Sequence, residues 1–265
     1  MAYSWETCPT EIKEFVFCIL TKTRKLIQDN FIGFYVHGSL AMGGFNPRRS
    51  DIDILIATAR ELEIETIRRL AQLFLTYSGN PFPVEISILT LGQLKDFKHP
   101  SPFEFHFSEC WRSRYEEELS LQTYKHLNGE IRKDPDLAAH ITITAQRGIC
   151  IEGKPIEDVF PSIPSSFYTS SILGDFNDCL ENIVENPVYC TLNLIRVYLY
   201  ICEGVISSKQ EAGIWGLLSL PKEMNQTLQK VITNYSHNDD SYEFEKKELI
   251  SFRDYIANKV QQLLK

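Results

Sequence analysis

Two apolar runs joined by a short polar link, within residues 31–58, constrain the fold more than any other stretch of this sequence. The first run, Phe31–Val36, predicts a buried strand, and a Gly-Ser turn follows it directly. The second run begins with Asp51-Ile52-Asp53 and then becomes fully apolar. Because side chains two positions apart share one face of a strand, Asp51 and Asp53 are predicted to point the same way.

The two aspartates form a candidate metal site. Carboxylates on one face repel each other unless a cation lies between them or one is protonated, and Mg²⁺ typically takes one or two carboxylates together with substrate phosphates. The alternative is that Asp51 caps a turn and Asp53 is solvated on an edge strand. However, Ile52 and Ile54 flank Asp53, and an unpaired charge among buried side chains costs on the order of several kcal/mol. We therefore favour Mg²⁺ bound by Asp51 and Asp53.

The turn upstream of the aspartates is a candidate phosphate site. Gly38 lets the backbone approach a ligand closely, and the backbone N–H groups and the hydroxyl of Ser39 can donate to phosphate oxygens. The order is apolar-Gly-Ser, eleven further residues, and then Asp-apolar-Asp-apolar. This pattern resembles the signature of the nucleotidyltransferase superfamily, which includes polymerase β.

A third strand is predicted over residues 83–89, where Glu85 is the single acid in an apolar, β-branched run. Amphipathic patterns predict helices over residues 10–29 and 61–77. If the third strand pairs beside Asp51–Ile56, Glu85 lies next to the aspartates and can take a proton from an attacking hydroxyl. The alternative, an exposed glutamate on an edge strand, is the one we favour less.

Two further segments are interpreted without a catalytic role. Residues 97–111 are rich in aromatic side chains, His and Pro, which predicts an irregular loop. Within it, His99 and His106 are interpreted as packed or surface side chains, because no carboxylate or Cys lies at metal-ligand spacing from them. Three successive glutamates, residues 116–118, are interpreted as a solvated face.

The chain is predicted to change character at a Pro/Ser-rich stretch, residues 160–166, which is the candidate domain boundary. Before it, Asp134 is predicted to cap a helix whose apolar stripe reaches Ile151. After it, amphipathic segments fit a compact helical bundle. The predicted fold is therefore an α+β nucleotidyltransferase domain with a mixed sheet and helices, residues 1–157, followed by an all-α bundle, residues 158–265.

Charge and composition narrow the function classes. The formal net charge of −8 argues against a nucleic-acid substrate, which needs a basic surface, and suits a cationic small molecule. No stretch approaches the roughly 20 apolar residues of a membrane span, and the N-terminus lacks the pattern of a secretory signal. The seven cysteines are scattered without metal-ligand spacing, as reduced core thiols are. We expect a cytoplasmic, monomeric protein that binds neither nucleic acid nor membrane.

The C-terminal half carries a narrower pattern. The pattern consists of four short motifs, in the order Thr191-Leu192-x-x-x-Arg196, Gly204-x-Ile206-x-x-Lys209, Ala212-x-x-Trp215 and Leu220-Pro221. Together with the N-terminal motif, this order resembles the aminoglycoside adenylyltransferases that inactivate streptomycin and spectinomycin. The resemblance extends over about residues 20–260.

The resemblance implies a role for each matching residue, with ATP as co-substrate. The positions that contact ATP in the family are matched here by Ser39, Ser50, Arg196, Lys209 and Tyr235, and we expect the triphosphate to bind on the Gly38-Ser39 turn. Asp51 and Asp53 match the Mg²⁺ ligands, and Glu85 matches the general base. For Lys209 the residues give independent support, because an ammonium at a helix start is poorly placed in the helix dipole and a phosphate partner would explain it. On the residues alone, two alternatives stay equally open: Lys209 as a surface lysine, and Arg196 in a salt bridge that holds the bundle.

One departure from the family pattern bears on the acceptor. Streptomycin-modifying members have a Trp and an Asp shortly before the Thr-Leu-x-x-x-Arg helix, and the matching positions here are Asn177 and Asn182. We therefore expect AMP transfer to a hydroxyl of an aminocyclitol antibiotic, with spectinomycin favoured over streptomycin. Two alternatives stay open. One is a nucleotide-binding regulatory module without antibiotic transfer, and the other is an enzyme that transfers AMP or UMP to a protein or a lincosamide.

Overall fold

Short strands form the framework of the N-terminal part of the chain. The computed structural model describes residues 2–122, 133–237 and 243–265. Its strands are β1 Phe31–Val36, β2 Ile52–Thr58, β3 Val84–Thr90, β4 Ser101–Pro102, β5 Phe105–Phe107, β6 Lys133–Asp134 and β7 Ile149–Gly153. The main sheet has the order β5-β3-β2-β1-β7, and β4 pairs separately with β6. Because β2 and β3 run parallel whereas β1 is antiparallel to both β2 and β7, the main sheet is mixed, as predicted.

Helices pack on both faces of the main sheet. They are α1 Thr10–Ile27, α2 Gly38–Ala41, α3 Ile64–Tyr77, α4 Leu91–Lys95, α5 Arg112–Leu121, α6 Leu137–Arg147 and α7 Ile156–Val159. A 3₁₀ turn, Gln28–Asn30, leads from α1 into β1. The helices predicted from amphipathic patterns over residues 10–29 and 61–77 correspond to α1 and α3.

The alternation of side chains along the strands decides which residues reach each face. On β2, Ile54 and Ile56 belong to the core shared with α1 and α3. Leu55 and Ala57 point the other way, into the core shared with α6 and α7. Asp53 has the parity of Leu55, so it lies near the start of β2 on the face that α6 covers.

The chain divides into two compact units, residues 3–167 and residues 168–265. Helices make up the second unit: α8 Ser165–Asn182, which begins just before the division, α9 Pro187–Glu203, α10 Lys209–Ser219, α11 Asn225–His237 and α12 Lys246–Leu263. The predicted fold class, an α+β domain followed by an all-α domain, is therefore confirmed. The predicted boundary between residues 157 and 158 stays a prediction. In the described parts of the chain, no helix has the length and apolar character needed to cross a membrane.

Local sequence explains where the C-terminal helices begin and end. Helix α9 starts at Pro187 and stops at Gly204, whose φ of +70° suits glycine. Helix α10 starts with a capping box, in which Glu211 N donates to Ser208 Oγ at 3.1 Å and Ser208 N donates to Glu211 Oε2 at 2.7 Å. This box fixes the backbone that carries Lys209.

Two predictions about strands are wrong. Residues 105–107 form β5, an edge strand paired with β3, rather than part of an irregular loop. The helix predicted to reach Ile151 ends at Arg147, and residues 149–153 form β7. The helix ends where Gly148 takes an extended conformation. This position favours glycine, because a Cβ would lie only 2.5 Å from Thr144 O.

Two predictions about acids near these elements are also wrong. Asp136, not Asp134, is the residue before α6, and Asp134 Oδ1 instead accepts a hydrogen bond from Asp136 N at 2.7 Å. Glu118 was expected on a solvated face but is buried on α5, whereas Glu116 and Glu117 are exposed. Glu118 lies three residues after the buried Tyr115, and residues three apart share one face of a helix.

Candidate active site

Strands β2 and β3 bring two of the predicted acids together. They pair in parallel with Asp53 directly beside Glu85, and neighbouring strands lie roughly 4.8 Å apart. Both side chains are half-buried and have the same parity on the sheet. The strand register thus agrees with the predicted neighbourhood of Glu85, while the catalytic role of Glu85 stays a prediction.

The aspartate pair fits a magnesium ion better than a fully protein-bound metal. Asp51 is exposed immediately before β2, and Asp53 is half-buried within it. Within the described residues, no three His, Cys, Asp or Glu side chains are grouped to hold a metal ion on their own. Mg²⁺ needs fewer protein ligands, because it commonly keeps waters and takes its other ligands from substrate phosphates. Like charges on adjacent strands destabilise a sheet, so a cation would also relieve the Asp53–Glu85 contact.

The Gly38-Ser39 turn packs directly on Asp53. His37 N donates to Asp53 O at 3.0 Å, which ties the end of β1 to β2. Gly38 has a φ of +59°, and a Cβ on it would lie 2.5 Å from Asp53 Cγ. Ser39 Oγ is buried and finds no hydrogen-bond partner in the part of the chain that the structure describes. Since buried hydroxyls are normally paired, an orphaned one beside a carboxylate pair suits a phosphate ligand.

Ser50 closes the link between the turn and β2. Its Oγ accepts from Asn46 N at 3.0 Å, and its own N donates to Asn46 O at 2.8 Å. The residue is buried, so the hydroxyl holds the loop in shape. A hydroxyl that accepts one hydrogen bond can still donate its proton, which leaves the predicted phosphate contact of Ser50 chemically possible.

Two histidines that the sequence did not assign to the site lie close to these acids. The ring centroids of His37 and His140 are 5.0 Å apart. Burial, and secondarily the charge of His140, hold the pKa of His37 well below its ordinary value of 6.5. Burial also acts to lower the pKa of His140, but surrounding carboxylates, Glu85 foremost, outweigh it and raise that pKa. The carboxylates therefore favour the protonated form of His140, whereas burial disfavours the protonated form of His37.

A third histidine, His106, lies on the edge strand β5. Its Nδ1 is 2.9 Å from Ser87 Oγ on β3, two residues along from Glu85. Burial lowers the pKa of His106, although Glu85 acts in the opposite direction. The prediction of a packed histidine agrees with this position. Of the three histidines near the acids, only His37 could have been assigned to the site from the sequence, because it directly precedes the Gly-Ser turn.

The remaining predicted ATP contacts lie in the helical unit. Arg196 is half-buried on α9, Lys209 opens α10 and Tyr235 lies on α11. Lys209 Nζ is 4.1 Å from the centroid of the Tyr189 ring. Their contacts with ATP stay predictions.

Comparison with protein families defines the class of this protein. Residues 20–119 match the nucleotidyltransferase domain, and residues 158–259 match the C-terminal domain of aminoglycoside adenylyltransferases. The first match contains the turn, the aspartates and Glu85, and the second contains Arg196 and Lys209. The chain is a nucleotidyltransferase enzyme.

Relatives along the whole chain narrow this class to a family. Spectinomycin 9-adenylyltransferase of Staphylococcus aureus is 25% identical over 257 residues, covering 92% of this chain and 94% of the relative. The protein of the same name from Campylobacter jejuni is 23% identical over 253 residues, covering 93% and 95%. The aminoglycoside (3'') (9) adenylyltransferase of Klebsiella pneumoniae is 21% identical over 250 residues, covering 90% of each chain. The family matches and these relatives confirm the resemblance to the aminoglycoside adenylyltransferases that the sequence shows.

A solved structure shares the fold. The crystal structure of spectinomycin adenyltransferase AAD(9) from Enterococcus faecialis with ATP and spectinomycin superimposes with a TM-score of 0.76. The match covers 94% of this chain and 99% of that one at 22% sequence identity. The two-domain order of an α+β unit and a helical unit is therefore that of a known nucleotidyltransferase.

Proposed function

We propose that this enzyme transfers AMP from ATP to a hydroxyl of an aminocyclitol antibiotic, with spectinomycin favoured over streptomycin. One observation carries the proposal: the strand register puts Glu85 beside Asp53, and the Gly38-Ser39 turn packs on the same aspartate. The residues proposed as base, metal ligand and phosphate site therefore lie at one end of the sheet. The names of the relatives from S. aureus and C. jejuni support spectinomycin as the acceptor.

Asp51 and Asp53 would hold Mg²⁺, since Asp53 packs against the turn and Asp51 lies two residues before it. When bound, Mg²⁺ offsets negative charge on the triphosphate and on the leaving pyrophosphate. Ser39 would donate its unused hydroxyl proton to a phosphate oxygen, and Ser50 would add a second donor. These donors orient the triphosphate so that the α-phosphorus faces Glu85.

Glu85 acts as the general base. Its carboxylate takes the proton of the acceptor hydroxyl, and the oxygen attacks the α-phosphorus of ATP. The bond to the bridging oxygen breaks, and pyrophosphate leaves with the electron pair. Because Glu85 is half-buried on a strand, its position is fixed by the sheet rather than by a mobile loop, which favours accurate placement of a base.

Two positions of the helical unit bear on the choice of acceptor. At the positions where streptomycin-modifying members have Trp and Asp, this chain has Asn177 and Asn182 on α8, both exposed. Asn182 Nδ2 donates to Asp178 O at 2.9 Å, and a neutral amide cannot form an ion pair with a guanidinium. Loss of an ion pair disfavours the guanidinium-bearing streptomycin more than spectinomycin.

The nucleotide contacts from the helical unit complete the proposal. Arg196 and Lys209 would bind the triphosphate through charge-assisted hydrogen bonds. Tyr235 would line the nucleotide site. ATP is proposed over other nucleotides because the relatives are named adenylyltransferases.

Mass spectrometry of the acceptor tests this function. The enzyme is incubated with Mg²⁺, each of the four nucleoside triphosphates, and a panel containing spectinomycin, streptomycin and lincomycin. We expect one adenylyl group to be added to spectinomycin with ATP and little addition to streptomycin. Transfer of UMP, modification of lincomycin alone, or ATP binding with no acceptor modified would each contradict the proposal.

A further inference from the structure

Within the helical unit, Lys209 rests on an aromatic ring. Its Nζ lies 4.1 Å from the centroid of Tyr189, well inside the roughly 6 Å range of a cation–π contact. Tyr189 belongs to the first turns of α9, and Lys209 is the first residue of α10. The capping box at Ser208 fixes the backbone of Lys209, and the ring contacts the end of its side chain.

The hydroxyl of Tyr189 makes a second contact, with helix α8. Its hydroxyl is 3.5 Å from Asp175 Oδ2 on α8, and burial together with Asp175 raises the pKa of Tyr189. The phenol therefore stays protonated and donates towards the carboxylate. Asp175, Tyr189 and Lys209 form a chain of contacts across three helices.

Arg196 shares the face of α9 that carries Tyr189. The two residues are seven positions apart, which is two helical turns, and the charge of Arg196 acts on the Tyr189 hydroxyl. Of the two cations predicted to bind the triphosphate, Lys209 contacts the Tyr189 ring and Arg196 acts on its hydroxyl through its charge. Tyr189 is 37% exposed, so it is not part of the apolar core of the helical unit.

We propose that Tyr189 is a positioning residue that holds the Lys209 ammonium ready for the triphosphate before ATP arrives. The inference rests on the proposed ATP contact of Lys209. A lysine side chain is rotamer-rich, and ordering it in advance removes a cost that nucleotide binding would otherwise bear. A partly exposed cation–π contact corresponds to about a two- to fivefold change in an equilibrium constant.

Binding of a non-hydrolysable ATP analogue tests the role without relying on turnover. Calorimetry with Mg²⁺ and α,β-methylene ATP is carried out on wild type, Tyr189→Leu and Tyr189→Phe. We expect Tyr189→Leu to weaken binding about two- to fivefold, and Tyr189→Phe to remain near wild type because the ring is retained. Unchanged or tighter binding by Tyr189→Leu overturns the inference.

A double-mutant cycle distinguishes positioning from a general structural effect. In a Lys209→Met background, the Tyr189→Leu exchange should no longer change the affinity for the analogue. If the same weakening persists without the ammonium, Tyr189 acts through another residue and the inference fails. Absence of analogue binding by the wild type would overturn the proposed function as well, whereas normal wild-type binding with an insensitive Tyr189→Leu overturns the positioning role alone.

The nucleotide-free protein offers an independent readout. Ring current should shift the ε-methylene protons of Lys209 upfield in an NMR spectrum, since the ammonium lies over the ring face. The shift should be retained in Tyr189→Phe and lost in Tyr189→Leu. Unshifted ε-methylene protons in the wild type would show that the contact is not populated in solution, which refutes the proposal.

Discussion

Replacing Gly38 by alanine tests how closely the turn and the aspartate pair depend on each other. Gly38 has a φ of +59°, and an added Cβ would lie 2.5 Å from Asp53 Cγ and 3.0 Å from Asp53 Cβ. A left-handed conformation costs a non-glycine residue about 1–2 kcal/mol. To reach ordinary contact distance, the carboxylate carbon of Asp53 must also retreat by about 1 Å.

The expected magnitude follows from these two effects. Backbone strain alone should lower the melting temperature by about 2–8 °C in a domain of this size. Displacement of a predicted metal ligand by about 1 Å should reduce the rate of AMP transfer by about 10²-fold. The catalytic loss is therefore expected to exceed the loss explained by partial unfolding. The assays are thermal unfolding and AMP transfer to spectinomycin at saturating ATP over a range of Mg²⁺ concentrations.

Two glycines of the same unit serve as matched controls. Gly43 also has a positive φ, +79°, but an added Cβ would approach only Ser4 Cβ, at 3.8 Å. Gly92 has no positive φ, and its nearest contact would be Thr90 Oγ1 at 3.6 Å. Gly43→Ala should lose stability but keep activity, and Gly92→Ala should keep both. The reasoning is refuted if Gly38→Ala retains wild-type activity and Mg²⁺ dependence, or if Gly43→Ala is equally inactive.

Three further predictions concern single side chains. Glu85→Gln should reduce turnover by roughly 10²–10⁴-fold while the ATP analogue still binds. The control is Glu152→Gln on β7, a glutamate of the same sheet away from the aspartates, which should keep near wild-type turnover. Equal losses of AMP transfer in the two variants would contradict the base assignment. Burial holds the pKa of His37 well below 6.5, so below pH 6.5 the unfolded chain binds a proton that the folded chain does not. The contribution of His37 to stability is therefore complete above pH 6.5 and is lost as pH falls towards the folded pKa. The loss is at most about 1.4 kcal/mol per pH unit. Denaturant unfolding between pH 8 and 5 should therefore give a shallower acid slope for His37→Gln than for wild type, and identical slopes would refute this cause. Gly174→Ala, in the interior of α8 where an added Cβ meets nothing within 4 Å, should stabilise the helix by about 1 kcal/mol, and an unchanged or lower melting temperature would contradict that.

The long strands were predictable because their sequences are continuous apolar runs bounded by turn residues. The run Phe31–Val36 is β1, and the predictions over residues 51–56 and 83–89 differ from β2 and β3 by one or two residues at their ends. The edge strand β5 was not predictable in this way. It has three residues, lies in a Pro- and aromatic-rich segment, and depends on pairing with the edge of β3, an earlier strand that its own apolar pattern does not specify.

The misassigned end of α6 has a different cause. Ile149 and Ile151 continue an apolar pattern that both a helix and a strand can bury, so hydrophobic spacing alone could not separate the two. Gly148 carried the missing information, since glycine commonly follows the last helical turn. His140 escaped prediction for a related reason. Its proximity to His37 depends on how α6 packs against the sheet, which no short motif encodes.

The neighbourhood of Asp53 and Glu85 could be predicted because the hydrophobic pattern that stabilises the strands also aligns the acids. Ile54 and Ile86 point into one core, which forces the odd-numbered residues of both strands to the opposite face. A slip of one residue in either strand would move its isoleucines out of that core and its acid into it. Burial of apolar side chains therefore penalises every register that separates the two carboxylates by a single step. The same packing energy that holds the sheet together fixes the distance on which the proposed chemistry depends.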